Sequence, residues 1–264
     1  MASKYEPDSF ERDIDHVFDH DIAVMIRSGY SQGKWPKDRF EWPKETILIV
    51  QSPEGTPKMY YNKPNELHAE LLFQADLKAD LEADLESDLD SANKSPESAN
   101  KSPEYTCTLY INYSPCGDCA DKIIQFIEKH DKVEFNIHFA KTFTDKTGRN
   151  KLKGNDRITL SPMDSSAWKK VTLLMLDYYI GKMQKSKPGE DADESLDIEG
   201  SDIQKLKKME NLKEKIQSIE SGYEVLKKTV EDLGIDIKPD DWKEQREKAD
   251  EYEKQDIKNS VNKL

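Results

Sequence analysis

Four side chains in this sequence are of the types and spacings that metal chemistry needs. Cys116 and Cys119 stand three apart within Ser114-Pro-Cys-Gly-Asp-Cys119, and His68-Ala-Glu70 lies well upstream. Thiolates and a neutral imidazole are zinc ligands, and a catalytic zinc takes three protein ligands and keeps a fourth position for water. His68, Cys116 and Cys119 supply three, which leaves Glu70 off the metal and free to move protons. Neither pair means much alone, since half of a structural zinc knuckle also reads Cys-x-x-Cys. A structural zinc, or a coincidence with a reducible cysteine pair, is the competing reading.

Such residues act together only if helix ends hold them. Ser114 suits a helix N-cap and Pro115 the first helical position, because its missing N–H would be unpaired there anyway. Cys116 and Cys119 then fall in the first turn, where the helix dipole favours thiolates. The same face runs on through Ile123, Phe126 and Ile127, so this helix should pack into the core. Residues two apart diverge on a helix, so His68 and Glu70 address one metal only if His68 sits at the mouth of its own helix. Feeding these helices are strand patterns at Thr46–Val50, Lys58–Tyr61, Tyr105–Tyr113, Val133–Ala140 and Ile158–Leu160. Apolar residues from Phe10 to Ile26 recur at helical spacing over 8–29, and Trp168, Val171, Leu174 and Leu176 mark a helix from Ser165 to Tyr179. His16 and His20 lie one turn apart but lack a third ligand, which leaves them a solvated surface; His130 and His138 are structural.

Lys34-Trp-Pro-Lys-Asp-Arg-Phe-Glu-Trp-Pro-Lys44 is a loop that mixes bases with aromatic rings. Charges for phosphates and rings for bases suit a single nucleic-acid strand. Equally, Trp35 and Trp42 could cover a sheet edge. Lys141 opens a second basic stretch, with Lys146, Arg149, Lys151, Lys153 and Arg157 against Asp145 and Asp156. Over 264 residues the net charge is −13, awkward for binding phosphates, yet the acids are segregated. Many belong to a four-residue repeat, Ala75-Asp-Leu-Lys to Ser-Asp-Leu-Asp90, followed by Ser91-Ala-Asn-Lys-Ser-Pro-Glu97 and its copy from Ser98 to Glu104. Leu77, Leu81, Leu85 and Leu89 recur every fourth residue and so drift around a helix; the expectation is a solvated acidic extension and a disordered linker.

From Met209 to Leu233 apolar residues step by three and four, a heptad seam that could pair two chains. Gly222 interrupts it, and a break there would give two helices folding back on the sheet. The expected organisation is one domain over 1–237, with a low-complexity insert at 75–104 and a polar linker at 184–200, then a charged helical or disordered tail over 238–264. A third cysteine, Cys107, sits in an apolar strand, where a buried reduced thiol implies a reducing compartment. The first residues lack the apolar run of a signal peptide and nothing approaches a membrane span, so the expectation is cytoplasm or nucleus and no membrane.

In this order, each opening a helix, the two motifs match the H-x-E…P-C-x-x-C pattern of the zinc nucleobase deaminases. Together with the sequence of elements, they make the chain resemble the activation-induced deaminase and APOBEC family of polynucleotide cytidine deaminases over roughly residues 10–237. His68-Ala-Glu70 and Asn112-Tyr-Ser-Pro-Cys-Gly-Asp-Cys119 carry the likeness most strongly. Trp35, Ala140-Lys-Thr-Phe143 and the helices around Leu212–Ile216 and Tyr223–Ile235 add to it.

The resemblance implies an α/β cytidine-deaminase-like fold in three layers, a mixed five-stranded sheet flanked by helices. It implies one catalytic zinc on His68, Cys116 and Cys119, with Glu70 as proton shuttle, and conversion of cytosine to uracil in single-stranded DNA or RNA. Tyr113 stands where an aromatic walls the flipped base, Phe143 in a loop that stacks on a neighbouring base, and Asn62 where a residue meets the nucleotide sugar. Trp35 and Lys141 complete the expected substrate contacts. Three features depart from the family: the insert, Tyr113 in place of the more common Trp, and a polar 144–157 that matches the family's helix poorly. The alternatives are a free-deoxycytidylate deaminase, which carries a similar cysteine helix, and a silent zinc-stapled nucleic-acid or protein binder. A homo-oligomer through 203–233 is the remaining partner expectation.

Overall fold

Five runs rich in β-branched and aromatic residues form strands: β1 (Thr46–Gln51), β2 (Lys58–Asn62), β3 (Tyr105–Tyr113), β4 (Val133–Lys141) and β5 (Ile158–Pro162). They make one sheet in the order β2-β1-β3-β4-β5. β1 runs antiparallel to both β2 and β3, whereas β3, β4 and β5 are parallel. The structure is a computed structural model describing residues 20–26, 28, 45–51, 56–62, 67–90, 105–142, 146–185 and 200–234, with the side chains of 83–90 and 200–202 excepted. Helix α1 covers residues 20–26, followed by α2 (Ala69–Asp90), α3 (Gly117–Lys129), α4 (Thr147–Leu152), α5 (Ser165–Lys185), α6 (Gly200–Gln217) and α7 (Gly222–Leu233).

Strand alternation sorts the core into two layers. Leu48, Val50, Leu109, Ile111, Phe135, Ile137 and Phe139 meet α2 and α3 on one face. Ile47, Ile49, Met59, Tyr110 and Ala140 meet α1 and α5 on the other. The sheet is therefore mixed, five-stranded and covered by helices on both sides, as expected. His138 occupies the α5 face, its Nδ1 3.0 Å from Ser161 Oγ and its ring stacked on Tyr110. Among the described residues, no helix is long and apolar enough to cross a membrane.

Two local expectations need correction. The acidic repeat is not wholly solvated, because Leu77 and Leu81 are buried with Phe73 against the sheet. A four-residue step drifts by only about 40°, so three successive positions still share one helix face. Lys58 and Tyr60 of the edge strand β2 reach Asp80 and Asp76 on the same helix, at 3.0 and 2.9 Å. Within the polar segment 144–157 lies the short α4, six residues long.

The heptad stripe ends where the break near Gly222 was expected, but α6 and α7 fold back chiefly on α5 rather than directly on the sheet. Leu206, Met209, Leu212, Ile216, Leu226 and Val230 are buried there within the chain. Gly222 accepts close approach rather than merely weakening a helix: a Cβ on it would stand 1.7 Å from the Ser165 carbonyl oxygen. Its N–H instead meets Ser165 Oγ at 2.8 Å. His16, Trp35, Phe143, the Ser/Pro linker, the 186–199 stretch and the tail lie outside the described residues.

Candidate metal centre and catalytic carboxylate

One edge of the sheet gathers the chemistry. Asn62 ends β2 opposite Thr46, and Tyr113 ends β3 beside Lys141 at the end of β4. Continuing the β1–β3 register by two residues sets Thr46 level with Tyr113. Asn62, Tyr113 and Lys141 thus stand along one row at the carboxyl ends of the parallel strands, the usual place for a ligand in such sheets.

From this edge the chain enters both motif helices. The His68 carbonyl accepts the N–H groups of Leu71 and Leu72 at 2.9 and 3.2 Å, so His68 caps α2. That places it at the mouth of the helix, with Glu70 one residue inside. The cysteine helix starts later than its sequence suggests. Cys116, not Ser114, is the N-cap, with extended backbone at φ −70° and ψ 172°, and α3 begins at Gly117. Ser114 is instead buried, its N–H continuing the β3–β4 ladder to the Lys141 carbonyl at 2.8 Å. A proline with an extended predecessor fits a turn as well as a first helical turn. The shift leaves both sulfurs at the helix mouth, where Cys119 is buried and followed inward by Ile123, Phe126 and Ile127.

Cys119 Sγ lies 3.1 Å from His68 Nδ1, and Cys116 Sγ lies 3.7 Å from the same nitrogen. The three ligand atoms all fall within 4.8 Å of one another. Two sulfurs and one imidazole nitrogen so gathered suit zinc and leave a position open. Glu70 adjoins them, 4% exposed, and hydrogen-bonded with Cys119. Burial pushes its carboxyl up, against the opposing pull of the backbone N–H, His68 and Cys119. Burial likewise pushes the Cys119 thiol up, with the Glu70 and Cys116 charges adding to it. A divalent cation reverses this logic for a ligating thiol, which is deprotonated outright. The remaining carboxylate oxygen, Oε2, is buried and has no hydrogen-bond partner in the protein. A buried acceptor left open beside three metal-ligating atoms is what a zinc site with a working water requires, so the residues fit the metal.

Two contributors escaped the sequence reading. Asn112 is fully buried; its Oδ1 accepts the Ile47 N–H at 3.0 Å, and its Nδ2 donates to Glu45 O at 2.9 Å and Ser28 Oγ at 3.2 Å. It ties β1, β3 and the segment after α1 together directly behind Tyr113, which is itself hydrogen-bonded to Ser28. Arg149 on α4 is 1% exposed and donates to Thr142 Oγ1 at 3.3 Å. An amide closing an apolar strand was the available signal for Asn112; nothing in a run of bases singles out Arg149.

Part of the chain is similar to known proteins. The model of the APOBEC3 cytosine deaminase domain matches residues 49–171. The human DNA dC->dU-editing enzyme APOBEC-3H is 24% identical over 106 residues, which is 39% of this chain and 44% of that relative. The match thus spans less than half the length of the relative. Residues 49–171, a little under half of the chain, are thus similar to the APOBEC3 cytosine deaminase domain.

Proposed function

We propose that the chain hydrolytically deaminates cytosine to uracil in single-stranded polynucleotide, with one zinc on His68, Cys116 and Cys119. The observation that carries this is the open, buried Oε2 of Glu70 beside three ligand atoms within 4.8 Å of one another. Zinc, when bound, supplies a Lewis acid that makes water nucleophilic near neutral pH. Glu70 does the proton work. Hydrolysis adds water at C4 of the base and breaks the bond to the exocyclic amine, which leaves as ammonia. The Glu70 carboxylate takes a proton from the attacking water and delivers it to N3, then supplies one to the departing amine. Burial holds its carboxyl up, nearer the range in which a group both takes and gives a proton.

The row along the sheet edge supplies the substrate contacts in this reading. Tyr113 walls the flipped base, Asn62 meets the sugar and Lys141 a phosphate. Trp35 and Phe143 join them by resemblance. Burial also pushes the Cys107 thiol up to about 11, which keeps it reduced and inert and fits a cytoplasmic or nuclear setting.

The test offers the chain a cytosine-bearing DNA oligonucleotide, its RNA counterpart and free deoxycytidylate at one salt concentration, and measures uracil. Uracil formation in an oligonucleotide is expected. Conversion of the free nucleotide alone, or of none of the three, contradicts the proposal.

A further inference from the structure

We propose that α4 is a brace for the metal centre, and that Gly148 is a positioning residue that fixes Cys116. The inference rests on the zinc reading above and deepens it.

The segment holding α4 is polar and supplies six residues of helix in all. Yet its backbone presses on the turn that delivers the first cysteine. A Cβ on Gly148 would stand 2.0 Å from the Pro115 carbonyl oxygen and 2.5 Å from that of Cys116. Both obstacles are backbone, so no side chain can swing aside to make room. The opposing surface is equally spare: a Cβ on Gly117 would come within 3.3 Å of Thr147 Cγ2. Helices α3 and α4 therefore meet through glycines at their first turns, at the point where Cys116 caps α3.

Side chains lock the contact at both ends. Lys151 Nζ donates to the Gly117 carbonyl at 3.4 Å and pairs with Asp121 at 2.6 Å, holding the start of α3. Buried Arg149 donates to Thr142, the first residue after β4. One short helix thus ties the cysteine turn to the end of the strand that carries Lys141. A shift of Cys116 by a few tenths of an ångström is enough to degrade a tetrahedral site, whose ligand distances tolerate only about 0.2 Å.

The experiment compares the full-length chain with Gly148→Ala, Lys151→Ala and, as a control in the turn after α4, Gly154→Ala, where a Cβ would meet Lys151 O only at an ordinary 3.8 Å. Zinc affinity is read by competition with a chromogenic chelator, and the melting of each metal-free chain is read by circular dichroism. A brace predicts at least a tenfold weaker hold on zinc in Gly148→Ala, about threefold in Lys151→Ala, and no change in Gly154→Ala. A merely structural glycine predicts a lower melting temperature with unchanged zinc affinity in the folded protein, and that result overturns the proposal. Should Gly148→Ala fail to fold, the exposed Lys151→Ala decides: zinc held as in the parent chain overturns the brace. A parent chain that holds no zinc would overturn the site itself, a separate failure.

Discussion

Two buried carboxyls, Asp21 and Glu70, show how alike environments serve different ends. Both are nearly sealed, at 0% and 4% exposure, and burial pushes both upward from the usual carboxylate range. Asp21 lies on the α5 face of the sheet, where Tyr61 donates to its Oδ2 at 2.7 Å and Tyr179 donates to the same oxygen. The two tyrosine hydroxyls also meet each other at 3.0 Å. Three elements, α1, β2 and α5, are joined by that knot, which among the described residues belongs to no group of three metal-ligating side chains. Glu70 lies at the mouth of α2 beside one imidazole and two sulfurs. A raised carboxyl alone therefore marks burial; its neighbours decide whether the proton it holds is put to use.

Substitutions should pull the two apart. The largest effect is expected from Glu70→Ala, which should lower turnover of a cytosine-bearing oligonucleotide at least about 100-fold, the lower range for losing a general acid–base, while the chain keeps its zinc. Kinetics and metal content on one preparation check this. Next, Asp21→Ala should leave turnover per folded molecule unchanged but cost stability, by about 1–3 kcal/mol for two buried hydroxyls losing their acceptor. Denaturant unfolding measures it.

Asp21→Asn should have the smallest effect, visible mainly in its pH dependence. Because the folded protein raises the Asp21 pKa above its ordinary 3.8, the native state binds this proton more tightly than the unfolded chain. Its favourable contribution is complete below 3.8 and is lost as pH climbs through the raised value. His20 beside it opposes the shift and Glu45 reinforces it. Asparagine can still accept from the tyrosines but does not ionise, so its melting temperature should fall less than the parent's between pH 4 and pH 7. Parallel slopes for the two chains would show that Asp21 stays ionised when folded.

The same contrast separates what a sequence reveals from what it hides. Strand runs such as Val133–Lys141 announce themselves because their alternation must serve two faces of one sheet. The candidate metal-binding motif is legible because few residue types ligate and their spacing is bound to helix mouths. The Asp21 knot was invisible, for nothing local marks an aspartate whose partners lie 40 and 158 residues away. The start of α3 is hidden because Ser114 is the better cap by type, yet the parallel ladder to Lys141 claims its backbone first. A step of four suggests that Leu77 and Leu81 drift off the core, yet the drift over one or two steps is small and both are buried. Helix α4 offered polar residues where its role lies in the side chain that Gly148 lacks.

Every functional statement above depends on one metal ion held by His68, Cys116 and Cys119. Elemental analysis of the purified chain tests it most directly, alongside Cys116→Ser. One zinc per parent chain is expected, with sharply weakened retention in Cys116→Ser and a melting temperature that falls with the metal. A folded parent chain free of zinc, or a Cys116→Ser chain that binds it as tightly, would rule out this metal site.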